Sequence, residues 1–230
     1  MLKRFTPPIP PLEPGDHLTR AEFERRYEAM PHVKKAELIE GVVYMPSPVR
    51  SDRHGDPHAD LMWWLGNYRV STPGVRVSDN STVRLDLDNE PQPDALMRIE
   101  PAYGGQARID NDGYVQGGPE FVGEVAASSA SIDLNAKLRA YQRNQVREYL
   151  VWRVLDGVID WFVLRRGRYA LLKPTKDGIY QSKVFPGLWL DAAALVRFDL
   201  ARVLQVAQEG VASPGHARFF ARLRRAAGKG

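Results

Sequence analysis

Five side chains in this sequence carry charge where charge is costly. Glu124 interrupts the apolar run "FVGEVA", Asp94 follows Pro93 at the head of "ALMRI", and Glu37 sits in "AELIE". Asp133 and Lys137 lie one turn apart on the helical pattern that follows Glu124. A carboxylate on a buried strand must be paired, hydrogen-bonded or bound to a cation. Two such carboxylates on neighbouring strands would repel each other unless a cation lay between them. A hard divalent ion resolves that conflict: Mg²⁺ prefers oxygen ligands and commonly takes one or two carboxylates together with water and phosphate oxygens. Such an ion acidifies a bound water and stabilises charge on a phosphoryl oxygen. A lysine beside it can orient the water or neutralise the phosphate. Asp94, Glu124 and Lys137 therefore form a constellation suited to metal-assisted phosphodiester hydrolysis. The same residues admit a plainer reading, toward which spacing alone leans: Glu124 and Lys137 as a structural ion pair, with Asp94 capping a turn.

The elements that must position these residues are legible in outline. Residues 1–18 are Pro-rich and read as an extended surface arm. Thr19 with Glu22 makes a capping-box pattern, predicting a helix to about Met30. "AELIEGVVYMP" reads as a hairpin turning at Glu40-Gly41. Leu61, Trp64, Leu65 and Tyr68 form the apolar stripe of a helix over 54–69. "GVRVSDNSTVRLDL" predicts two strands around a polar turn, and "QPDALMRI" another. The stretch 101–118 holds five glycines and no apolar period, so it is expected to be a long loop. A strand over 120–126 and a helix over 131–144 follow. "VREYLVWRV", "GVIDWFVLRRG" and "RYALLKP" predict antiparallel strands. Short helices are expected over 191–197 and 200–209, and a basic terminal helix over 214–227. This order of elements implies a mixed α/β or α+β fold.

The 230 residues, 43% hydrophobic, suffice for a sizeable core, and 26% charged residues argue against global disorder. The net charge of +4 permits a polyanionic partner without requiring one. Much of it resides near the end of the chain, where Arg218, Arg222, Arg224, Arg225 and Lys229 meet no acid. The absence of cysteine excludes disulfides, thiolate zinc sites and cysteine nucleophiles. No apolar stretch approaches a membrane span, and the N-terminus lacks the apolar middle of a signal peptide, so a cytoplasmic protein with no membrane partner is expected.

The motifs "AELIEGVVYMPSP", "RHGDPHADLMWWL", "QPDALM" and "GYVQGGPEFVGEVAASSASIDLNAKLRAYQRNQVREYLVW" occur in an order that resembles the Uma2 family, bacterial proteins of the PD-(D/E)XK nuclease superfamily. The resemblance spans about residues 20 to 175 and is strongest from Gly113 to Val151. It implies a restriction-endonuclease-like core, a central mixed β-sheet flanked by helices, with additional antiparallel strands and a helical C-terminal extension. The implied division is an arm over 1–18, a nuclease-like domain over 19–200 and a basic helical extension over 201–230. It further implies that Asp94 and Glu124 bind Mg²⁺ or Mn²⁺ and that Glu37 lies at the edge of the site. The superfamily's lysine, two residues after the second acid, is replaced here by Ala126, and Lys137 is the natural substitute. Ala127 and Ser128 depart from the more usual Ser-Pro after the strand. His54 aligns with the family's helix-start histidine, although Pro57 would suit the first helical position after an Asp56 cap and leave His54 outside the helix. The same proline argues against a zinc pair formed by His54 and His58.

The expectation is a Mg²⁺-dependent endonuclease acting on DNA as a homodimer, without an organic cofactor. Asp94, Glu124 and Lys137 are its central residues, with Glu37 and His54 assisting. A non-catalytic nucleic-acid-binding or regulatory protein on the same fold is the rival, and an RNA-directed nuclease a third reading. The five tryptophans fall within apolar patterns and are expected in the core rather than stacked on bases. The basic terminal helix and Arg165, Arg166 and Arg168 are candidate phosphate contacts, or simply solvated charges.

Overall fold

A computed structural model describes residues 8–45 and 50–228. The first part of the Pro-rich arm and positions 46–49, at the end of the first motif, lie outside the described residues. In chain order the elements are α1 (Arg20–Glu28), β1 (Glu37–Ile39), β2 (Val42–Tyr44), a π-helical turn (Ser51–Gly55) leading into α2 (Asp56–Val70), β3 (Val75–Asp79), β4 (Val83–Arg84), β5 (Ala95–Ile99), β6 (Arg108–Ile109), β7 (Val115–Gln116) and β8 (Phe121–Ala126). A broken helix follows: α3 (Ala130–Ile132), a π-helical turn (Asp133–Lys137) and α4 (Leu138–Arg143). Then come β9 (Glu148–Arg153), β10 (Val158–Arg165), β11 (Arg168–Leu171), β12 (Ile179–Gln181), β13 (Trp189–Asp191), α5 (Ala192–Val196), α6 (Leu200–Val211) and α7 (Pro214–Ala227).

The main sheet has six strands in the order β11-β10-β9-β8-β5-β3. All pairings are antiparallel except β8 with β9, which the helix 130–143 joins as a crossover. Such a connection is required between parallel neighbours. The two central strands are buried on both faces, so they read as continuous apolar runs rather than alternating ones. One face packs against α2, through Leu61, Trp64, Leu65 and Tyr68, and against α6 and α7, through Val203, Ala207, Phe219 and Leu223. The other face, with Leu96, Val122, Ala126, Tyr149 and Val151, packs against Tyr141, Leu134 and Leu138 of the broken helix. Gly123 faces α2, where a Cβ would come within 3.1 Å of Leu61, so that helix lies close over the strand carrying Glu124.

The hairpin β1-β2 turns at Glu40 and Gly41, both at positive φ (52° and 78°), as a two-residue hairpin turn of the favoured twist requires. With α1 and Leu12 it encloses a third small core. Thr19 caps α1 by accepting the Glu22 N–H, as the sequence pattern predicts. The stretch 101–118 is not simply a loop: β6 and β7 join β4 in a three-stranded sheet. Its pattern was hidden because each strand is only two residues long. Trp64, Trp152 and Trp161 are fully enclosed, the core role expected of them, while Trp63 and Trp189 are half-buried.

Glu148 at the start of β9 is enclosed and anchors the loop after β12. Its carboxylate accepts from Ser182 Oγ (2.7 Å), Lys183 N–H (2.6 Å) and Val184 N–H (3.2 Å). Burial outweighs these bonds and pushes its carboxyl up from 4.5 to about 7. The folded protein thus holds this proton longer than the unfolded chain, and stability is lost as pH rises between those values. Replacing Glu148 by Gln should leave stability near pH 4 little changed. At pH 8 the variant should gain on the parent by up to about 3 kcal/mol, read by urea unfolding at both values.

Candidate active site

In the β5–β8 pairing Ala95 stands opposite Gly123, and the next step of the same register sets Asp94 opposite Glu124. Directly opposed residues project from the same face of an antiparallel pair. That face is the one carrying Leu96, Val122 and Ala126, beneath the broken helix. The two acids therefore share one side of the sheet, and both are buried.

Lys137 comes down onto Glu124 from the π-helical turn. Its Nζ lies 3.0 Å from Glu124 Oε1, 2.9 Å from Glu37 Oε1 and 3.7 Å from Asp133 Oδ1. A π-turn widens the helix by one residue, and such turns are frequent at functional sites. Tyr141, one turn further, donates to Glu124 Oε1 at 2.8 Å, and Ser129 donates to Asp133 Oδ2 at 2.5 Å. Tyr149 on β9 bonds the Asp133 carbonyl at 3.0 Å, tying the widened turn to the sheet. Glu37 on β1 is held by the Gln92 N–H at 2.7 Å.

Asp94 has a different retinue. Val125 N–H donates to its Oδ2 at 2.9 Å, and His54 Nε2 lies 3.2 Å from the same oxygen. Lys35 Nζ is 3.4 Å from Oδ1 and 3.2 Å from Asn80 Oδ1. His58 Nε2 faces two acceptors, the Asp94 carbonyl at 2.9 Å and Asp79 Oδ1 at 3.0 Å, so that nitrogen carries a hydrogen. His54 stands in the π-helical turn before α2, and Pro57 occupies the first turn of the α-helix proper. The two histidines make separate hydrogen bonds.

Burial opposes ionisation of Asp94, but His54, Lys35 and the Val125 N–H outweigh it and hold the carboxyl well below the usual range. For Glu124 burial prevails, helped by Asp133, Asp94 and Glu37, and its pKa rises despite Lys137. Asp133 is pushed up by the same burial. Burial alone would lower the Lys137 ammonium; Glu124, Glu37 and Asp133 more than reverse this and keep it charged. Four carboxylates thus face two ammonium groups, an excess of negative charge that either protons or a divalent cation must neutralise. Among the described residues no three acids or histidines converge on one point. Asp94 and Glu124 are the donor pair suited to a hard ion, whose remaining ligands would be water and phosphate oxygens. No described donor reaches Glu124 Oε2, because Lys137 and Tyr141 both address Oε1.

A family model described as "Putative restriction endonuclease" matches residues 20–193, well over half of the sequence. The chain belongs to the Uma2 family. Among solved structures this Uma2 chain is similar to a protein of Anabaena variabilis described as a "putative nuclease belonging to DUF820". The two are 12% identical, with a TM-score of 0.51 over 75% of this chain and 97% of the other, a likeness of fold. No protein of curated function matches.

Of the residues singled out from the Uma2 sequence, Asp94, Glu124, Lys137 and Glu37 come together, and His54 joins through Asp94. Sequence reasoning passed over Lys35 and assigned no role to Tyr141. The alternation of β1 could have pointed to Lys35: two residues before Glu37, it shares that residue's face, while Ala36 and Leu38 turn to the third core. Tyr141 lies four residues after Lys137, on the same side of the helix.

Replacing Lys137 by Met would leave three buried acids without their common cation. Loss of one partner of a buried pair typically costs about 3–5 kcal/mol. Urea unfolding of the variant near neutral pH should show a loss of that size, smaller in acid where the carboxyls take up protons.

Proposed function

We propose that this Uma2 protein is a metal-dependent endonuclease that hydrolyses phosphodiester bonds in DNA. The observation that carries the reading is the register that sets Asp94 opposite Glu124 on one face, within a cluster where acids outnumber ammonium groups. Bound there, Mg²⁺ or Mn²⁺ would supply an acidified water and a Lewis acid for the phosphate. The remaining work falls to the chain's own groups. Asp94, held ionised, and Glu124, whose Oε2 accepts from no donor among the described residues, would ligate the ion. Lys137 and Tyr141 fix Glu124 through its other oxygen. Glu37 and Asp133 keep Lys137 in place. His54 orients Asp94. DNA is favoured as substrate by the family's description as a restriction endonuclease.

Asp94→Asn and Glu124→Gln should each lower Mg²⁺-dependent nicking of supercoiled plasmid by at least about a hundredfold. Both should unfold in EDTA within a few degrees of the parent. Titration calorimetry should detect Mn²⁺ binding to the parent and to neither variant. One observation favours a second reading, a non-catalytic nucleic-acid-binding protein: Lys137 already neutralises part of the cluster without a metal. A parent protein that binds DNA yet takes up no Mn²⁺ and cuts nothing would decide for it.

Cutting both strands of a duplex calls for two centres, so a homodimer belongs to the same proposal, with the edge hairpin β10-β11 as the contact. Light scattering should give the mass of two chains, and Leu171→Glu, on the exposed edge, should halve it.

A further inference from the structure

The two lysines of the cluster are not equivalent. The Lys137 side chain is 6% exposed and lies within 4 Å of three carboxylates, whereas that of Lys35 is 23% exposed and touches one. At 3.4 Å its contact with Asp94 is longer than the 2.7–2.9 Å usual for a charge-assisted bond, so the ammonium is loosely held. His54, 21% exposed, stands at the other oxygen of Asp94. Lys35 and His54, both partly exposed, therefore stand at the two oxygens of Asp94, while Lys137 is enclosed against Glu124.

We propose that Lys35, completed by His54, forms a subsite over Asp94 for the non-bridging oxygens of a phosphodiester, and that Lys137 stays with its acids and never meets substrate. The inference rests on the nuclease reading above. Three physical points support it. Of the two ammonium groups, Lys35 is the one with appreciable solvent exposure and so the one an anion from solvent can meet. Moving Lys137 outward would strand three buried acids, a cost no phosphate contact repays; moving Lys35 leaves Asp94 still held by Val125 N–H and His54. The flexible stem of Lys35 lets its ammonium swing from the carboxylate to a phosphate oxygen, for which a mobile point charge suffices. In the protein alone Lys35 thus neutralises Asp94; with a cation on the acids it is released toward the substrate.

The test uses Lys35→Met and Lys35→Arg in the full chain, with three readouts. Mn²⁺ affinity by calorimetry, without DNA, should be unchanged or tighter in Lys35→Met, since a competing cation has gone. Affinity for a short fluorescein-labelled duplex in Ca²⁺ should fall roughly tenfold or more in Lys35→Met and be largely kept in Lys35→Arg. Plasmid nicking in Mg²⁺ should fall in parallel with duplex affinity. A Lys35→Met protein that binds the duplex and nicks plasmid within about twofold of a competent parent would overturn the subsite and leave the nuclease reading standing. Weakened Mn²⁺ binding in Lys35→Met would make Lys35 a support for the acids and would equally overturn it. If the parent itself neither binds the duplex in Ca²⁺ nor nicks plasmid in Mg²⁺, both proposals fall together.

Discussion

One buried ammonium organises this protein. Lys137 brings together carboxylates from three separate parts of the chain: Glu37 on β1, Glu124 on β8 and Asp133 on its own helix. None of these acids could be enclosed ionised without a compensating charge, since desolvating a carboxylate costs several kcal/mol. The lysine in turn could not be enclosed without them. Enclosed together, these groups hold the hairpin, the sheet and the crossover helix in fixed positions relative to one another.

Several peripheral contacts follow from that obligation. The crossover helix carries Arg139 and Arg143, which reach Glu40 in the hairpin turn and Asp86 in the loop after β4. These exposed pairs add little energy individually, but they lie on the same helix as Lys137 and act in the same direction. The Glu40 N–H is taken by Asn89 Oδ1, and Gly41 N–H by the Asp88 carbonyl, so the hairpin is also bonded through its backbone. The opposite face of the sheet contributes rigidity. Trp64, Phe121 and Trp161 meet edge to face there, and Gly123 admits α2 close to the strand that carries Glu124. A site built on central strands gains precision from such packing.

The cluster is electrostatically asymmetric. Asp94 is kept ionised despite its burial by the His54 and Val125 N–H groups and by Lys35. Glu124, fully enclosed, is pushed toward its neutral form. Their surroundings thus drive these two neighbouring acids toward opposite protonation states. Perturbed carboxyls of this kind occur at functional sites and in structural ion-pair networks alike.

The broad architecture was legible in the sequence because it rests on local periodicity. Leu61, Trp64, Leu65 and Tyr68 at helical spacing, the aromatic and β-branched residues of β9 and β10, and the Glu40-Gly41 turn each announce an element without reference to the rest of the chain. The candidate acids were legible for a related reason: a charge within an apolar run, like Glu124 in "FVGEVA", stands out against its neighbours. Lys35, by contrast, lies in a polar stretch, "PHVKKAE", where a lysine is unremarkable, and only the tertiary fold brings it to Asn80 and Asp94. The strands β6 and β7 were equally invisible, being two residues long and held by pairing rather than propensity. What the sequence determined by itself was therefore which residues are costly to bury and which segments repeat with the period of a helix or a strand. Only the tertiary structure decided which costly residues share a face and which lysine is enclosed, because register and helix packing arise from contacts between segments far apart in the chain.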